Sequence, residues 1–233
     1  MTLRSGLLGI VTAVSLAGAC QAQGVVTAPD AGDYTLSGVS LRPGRFKGAP
    51  SLEMQMPAAD YQDPAREALS DRNFMAWLPL DFHDGTIEVE VASELAADAP
   101  SYARGFIGLS FRIDAAGRFE SIYLRPTNST AEDQLRRNHS VQYAAYPDHR
   151  FDRLRREAPE TYETYADVVT GRWIRMRLVV AGQQARLFLD GAERPAFLVK
   201  DLKLGAAQRG GVGLWLESGT IAHFRDLRIT RAD

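Results

Sequence analysis

The sequence predicts an all-β protein built as a sandwich of two antiparallel sheets, and three features carry that expectation. In RWIRMRLVV, Trp173, Arg175 and Arg177 interleave with Ile174, Met176 and Leu178, and such alternation suits a strand, whose successive side chains point to opposite faces. Similar runs then follow, ARLFLDG, GGVGLWLES and AHFRDLRIT, separated by Gly-, Asp- and Pro-bearing segments. Asp190-Gly191 suits the positive φ angles of a tight hairpin, and Asp114-Ala115-Ala116-Gly117 forms a turn between two strand-like runs.

From the N-terminus, Arg4 precedes the uncharged run LLGIVTAVSLAGA, which ends in small residues. This predicts a signal peptide over 1–19 and an exported protein, the run being too short to span a membrane comfortably. Cys20, the only cysteine, leaves two outcomes open. Cleavage before it gives a lipid-anchored periplasmic or outer-membrane lipoprotein, whereas cleavage after Ala22 discards it. Residues 20–32 read as a flexible tether and 33–233 as the sandwich.

YTLSGVSLRPGRFKGAPSLEMQMP supplies the opening strands, and PAADYQDPAREALSDRN reads as a polar loop. Asp84-Gly85 leads into a strand with Thr86, Glu88 and Glu90 on one face and Ile87, Val89 and Val91 on the other. ARGFIGLSFRIDAAGRFESIYLRP predicts a hairpin at the centre of a sheet. From Thr127 to Thr170 sustained alternation is lost, so this stretch reads as a long loop insertion, with a short helix in FDRLRREAPETYETYADV that stops at Pro159.

The chain has 233 residues, 45% hydrophobic content and a net charge of -2, enough for one core and without the basic excess that binding phosphate backbones requires. Nucleic acid is therefore not an expected partner, and contact with a membrane would come only through a lipid on Cys20. The histidines His83, His139, His149 and His223 lack zinc-motif spacing, so no metal site is expected. No cofactor is legible.

Taken together, FIGLSFRI, FESIYLRPTN, GRWIRMRLVV, ARLFLDG, VGLWLES and HFRDLRI resemble the concanavalin A-like lectin and glucanase superfamily, nearest to laminin-G-like and 3-keto-disaccharide hydrolase-like domains. The resemblance implies a jelly-roll sandwich and a carbohydrate or polysaccharide partner. Family-sixteen glucanases of that superfamily carry three alternating acids on one strand. Here Glu88 and Glu90 share a face but Glu94 is out of step, and a solvated strand face accounts for them better.

A sugar site needs aromatic faces for C–H surfaces and amide or guanidinium groups for hydroxyls. The segment 120–143 supplies both. Its candidate ligand-binding residues are Tyr123, Arg125, Asn128, Arg137, Gln142 and Tyr143, together with Trp215, which is equally suited to core packing. Arg125 and Tyr143 are expected to matter more than Glu88 and Glu90, with roughly ten- to hundredfold lost on removing Arg125. Glu120 and Arg125 fall on opposite faces of a regular strand, so only one of them reaches a common cleft unless a bulge intervenes. If the protein is an enzyme, the 3-keto-disaccharide hydrolase resemblance implies glycosidic cleavage aided by a keto group that acidifies a neighbouring C–H, with Glu120 or His139 as the base. Binding ranks before catalysis. The rival reading is a non-catalytic cell-surface interaction module, and convergence of the polar residues in one concave pocket would separate the two.

Overall fold

The computed structural model describes residues 24–232, so the signal peptide and Cys20 lie outside the described residues. In chain order the first strands are β1 (Val25–Thr27), β2 (Thr35–Ser37), β3 (Ser40–Phe46), β4 (Ala49–Gln55), β5 (Met75–Phe82), β6 (Asp84–Leu95), β7 (Ile107–Ile113) and β8 (Phe119–Leu124). Two short helices, α1 (Pro126–Ser129) and α2 (Gln134–Asn138), precede β9 (Val141–Tyr146), and α3 (Phe151–Glu157) precedes β10 (Glu163–Thr164). The chain closes with β11 (Ile174–Ala181), β12 (Gln184–Leu189), β13 (Phe197–Val199), β14 (Gly210–Leu216) and β15 (Thr220–Ala232).

These strands form two antiparallel sheets packed as a sandwich, as the alternation predicts. One runs β13-β12-β11-β6-β15-β4-β3 with β1 added against β15, and the other runs β10-β9-β8-β7-β14-β5-β2. The core lies between them, where Ile87, Val89, Val91, Ile174, Met176 and Leu178 from the first sheet meet Ile107, Leu109, Phe111, Ile122 and Leu124 from the second, all at most 1% exposed. The expected β7–β8 hairpin occupies the middle of the second sheet. Its turn is held by Asp114, whose Oδ1 accepts from the N–H groups of Ala116 and Arg118, while Gly117 takes the positive φ of 74°.

Two boundaries differ from the sequence expectation. Val25–Thr27, placed in the tether, is a strand paired with Thr230, Ile229 and Arg228 of β15. A bulge between Arg225 and Arg228, with Asp226 at φ 55°, ends the pairing of β15 with β4. The edge beyond it is taken up by β1, whose three residues are too few to show alternation. The second difference is at Asp190-Gly191, which does take positive φ angles of 50° and 78° although β13 starts only at Phe197. Asp190 is committed to β11, with Oδ1 accepting from Arg175 N–H and Oδ2 from Arg172. The tight hairpin is instead Gly182-Gln183 between β11 and β12, where Ala181 faces Gln184.

The helix in FDRLRREAPETYETYADV is α3. It buries Leu154, carries Asp152 in its first turn and Arg155 and Arg156 in its last, which suits the helix dipole, and ends before Pro159. Elsewhere in the second sheet Arg112 is fully buried, and its guanidinium ties the β5–β6 and β11–β12 connections together by donating to His83 O, Asp84 Oδ1 and Gly182 O.

Candidate functional site

The second sheet has a core-facing side and an outer side, and strand alternation decides which residues reach which. On β8, Glu120, Ile122 and Leu124 point into the sandwich while Phe119 and Tyr123 point outward, and Arg125 continues the outward set. Tyr123 packs on Trp215 of β14, with ring centroids 4.5 Å apart, and meets the edge of Phe106 at 6.4 Å. The sheet provides the floor of a cleft of about 340 Å³. Its walls come from the loops around Ser70 and Tyr102, from α1 and α2, and from α3.

A buried polar network sets the floor. Arg125, only 5% exposed, donates to Tyr123 Oη at 2.8 Å and to Gln142 Oε1 at 3.0 Å. The Tyr123 hydroxyl donates to Asp71 Oδ1 at 2.5 Å, and Asp71 Oδ2 accepts the N–H of Phe151 at 2.8 Å. Two guanidinium groups approach the Phe151 ring, that of Arg125 at 5.0 Å and that of Arg155 at 5.2 Å from its centroid. Behind them the buried Glu163 accepts both nitrogens of a bidentate Arg155 and lies 3.1 Å from His139 Nε2 and 3.9 Å from Arg125. On the far side Arg72 pairs with Glu217 through two contacts, at 2.6 and 3.2 Å.

Burial raises the Asp71 carboxyl above its ordinary value, with the Arg125 charge acting in the opposite direction. His139 titrates lower than usual. Its short contact with Glu163 would favour the charged ring, but burial comes first and Arg155 and Arg125 add to it. Nε2 lies 3.1 Å from Glu163 Oε1, a close contact of the ring with the carboxylate.

The cleft gathers Tyr123, Arg125, Asn128 and His139 from the sequence candidates. Asn128 holds its neighbours in place, donating to His139 O and accepting from Arg136 Nε. Gln142 lies beneath the cleft with its amide fully used, accepting from Arg125 and donating to the carbonyls of Tyr143 and Tyr162. Trp215 is 1% exposed and donates to Arg72 O, so it supports Tyr123 from below.

The structure separates the other candidates from the cleft. Glu120 and Tyr143 point between the sheets, hydrogen-bonded to each other, and Glu120 also accepts from Leu204 N–H at 2.8 Å. They sit on the opposite face of the strands from Tyr123 and Arg125 and cannot share a ligand with them. Arg137 turns to the ring of Tyr165 at 5.5 Å, and its neighbour on α2, Arg136, takes the cleft position. Glu88 and Glu90 belong to β6 in the other sheet, where Glu90 is bound by Arg175 and Arg225. Asp71, Tyr102, Arg104, Phe106, Phe151 and Arg155 were not among the sequence candidates. SYARGF does place Tyr102, Arg104 and Phe106 two apart, and Phe151 and Arg155 have the i, i+4 spacing of one helix face.

The buried Glu120 carries a prediction for pH. Burial raises its pKa, so as pH rises the unfolded chain loses this proton first, near the ordinary glutamate value of about 4.3. The stability due to Glu120 is then full below that pH and falls as pH climbs through the raised folded value. Wild type is expected to lose stability relative to Glu120→Gln between acidic and neutral pH, measured by urea unfolding at both. A relative gain for wild type with rising pH would contradict the assignment.

No protein-family profile and no curated protein matches the chain. Among solved structures, a Bacillus subtilis protein of unknown function described as having a galectin-like fold aligns at 14% identity and TM-score 0.52, covering 86% of this chain and 90% of that one. The chain shares that fold. A carbohydrate-binding module from Bacillus subtilis aligns at 11% identity and TM-score 0.49, covering 84% of this chain and 97% of that one. Domain 4 of an extracellular arabinanase from Geobacillus stearothermophilus, solved with arabinotriose, aligns at 11% and 0.44, covering 89% and 82%. The galectin-like sandwich agrees with the jelly-roll expectation, and at these identities the likeness speaks for fold alone.

Proposed function

We propose that this galectin-like sandwich is an exported saccharide-binding protein that holds its ligand in the cleft above Tyr123 and Arg125. The observation that carries the reading is the lining of the cleft. Apolar surface from Tyr102, Phe106, Phe151 and Leu135 surrounds the His139 imidazole and guanidinium and amide groups fixed by buried partners. Leu135 is 58% exposed on a helix beside the cleft, where a free apolar side chain suits the C–H face of a sugar ring. Polar groups already locked by hydrogen bonds lose little entropy when they meet a ligand. Convergence of the polar residues in one concavity supports ligand recognition over a convex interaction module.

Binding is the whole of the reading. Glu120 stands outside the cleft and His139 sits against the buried Glu163 at 3.1 Å, so neither base named from the sequence is given a reacting role here. Titration calorimetry across a panel of oligosaccharides tests the reading. Phe106→Ala and Leu135→Asp are each expected to cost about 1 kcal/mol, roughly five- to tenfold in Kd. The exposed Leu135 variant should melt like wild type. Unchanged affinity in both variants would place the ligand elsewhere.

A further inference from the structure

Four guanidinium groups line the cleft, and they differ in what neutralises them. Arg155 and Arg125 face the buried Glu163 at 2.6 and 3.9 Å. Arg104 and Arg136 have no carboxylate within 4.0 Å among the described residues. Arg104 donates through Nη1 to the carbonyls of Ser101 and Ala103, and Arg136 through Nε to the Asn128 amide oxygen, so each keeps N–H groups for a ligand and neither has a carboxylate beside it.

The cleft's own acids are already committed. Asp71 serves Tyr123 and Phe151, Glu217 serves Arg72, and Asp133 caps α2 by accepting from Leu135 and Arg136 N–H. Burial, followed by the like charges of Arg136 and Arg125, makes the Arg104 guanidinium less basic than usual. Arg104 and Arg136 thus stand together on one half-buried surface with no carboxylate within 4.0 Å of either among the described residues.

We propose that the saccharide bound here is acidic, with a carboxylate or sulfate group seated between Arg104 and Arg136. A planar, weakly hydrated guanidinium fork matches such an oxyanion. This inference rests on the cleft being the saccharide site and adds the class of ligand.

Affinity electrophoresis of the purified protein separates the two claims. Native gels are cast with polygalacturonate, alginate, hyaluronan or dextran sulfate, and in parallel with neutral galactan and xylan, at physiological ionic strength. An acidic polymer is expected to retard the protein, and Arg104→Gln and Arg136→Gln are each expected to weaken that roughly ten- to hundredfold. Arg186→Gln, an exposed arginine on β12 of the other sheet, should change nothing. Retardation by a uronate polymer assigns a carboxylate and retardation by dextran sulfate alone assigns a sulfate, and both support the proposal.

Retardation by neutral polymers alone, lost in Phe106→Ala and kept in the two arginine variants, would overturn the acidic ligand and leave the cleft as the saccharide site. Acidic retardation that survives the double arginine variant would overturn the proposal as non-specific adsorption. No retardation by any polymer would overturn both claims.

Discussion

Arg125→Met is expected to lower the unfolding free energy by about 3–5 kcal/mol, the usual cost of stripping one partner from a buried charged network. Arg125 is only 5% exposed. Its guanidinium is the positive charge beside Tyr123 and Gln142, and it also faces Asp71 and Glu163. Methionine would fill much of the volume while leaving the Gln142 carbonyl oxygen and the Tyr123 hydroxyl oxygen without their donor. Arg125→Lys keeps the charge but lacks the planar fork that reaches Tyr123 and Gln142 together, so an intermediate loss is expected. Urea unfolding near neutral pH measures both, and wild-type stability in Arg125→Met would show that the network is not held by this residue. The expected binding loss in an Arg125 variant therefore cannot be separated from a loss of fold, which makes Leu135, Arg104 and Arg136 better reporters.

Gly108→Ala is expected to cost about 3 kcal/mol, at the upper end of ordinary overpacking. A Cβ at Gly108 would lie 2.4 Å from Tyr123 Cβ and 2.5 Å from both Ile122 O and Tyr123 Cα. Most of these atoms belong to the backbone of β8, which pairs with Gly108 across the ladder at Tyr123. Relief therefore requires β8 to move, and with it the hydroxyl that joins Arg125 to Asp71. Saccharide affinity should fall along with stability. Gly32→Ala, where an added Cβ meets nothing within 4 Å, is the matched control and should unfold like wild type. Equal stability of Gly108→Ala and Gly32→Ala would show that the close approach of β7 and β8 is not required.

The sandwich was legible because Ile174, Met176 and Leu178, like Ile87, Val89 and Val91, alternate with polar neighbours over whole strands. The opposite faces of Glu120 and Arg125 followed from the same periodicity. Asp71 was not legible as part of the site. It lies in a polar loop without periodicity and reaches Tyr123 across 52 residues of chain, and a pairing at that distance leaves no trace in local pattern. Arg136 and Arg137 are adjacent on one helix, and only the direction in which α2 packs decides which of them enters the cleft. Tyr143 was grouped with Arg125 by proximity along the chain. Strand alternation sends it to the core instead, just as it does Glu120.

Chemical-shift mapping of the backbone amides during titration with the tightest oligosaccharide from the panel tests the central claim most directly. The account predicts perturbations clustered at Tyr102 to Phe106, Asn128 to His139 and Phe151 to Arg155, with β6 silent. Perturbations centred on Glu88 and Glu90, with the cleft amides unmoved, would contradict it.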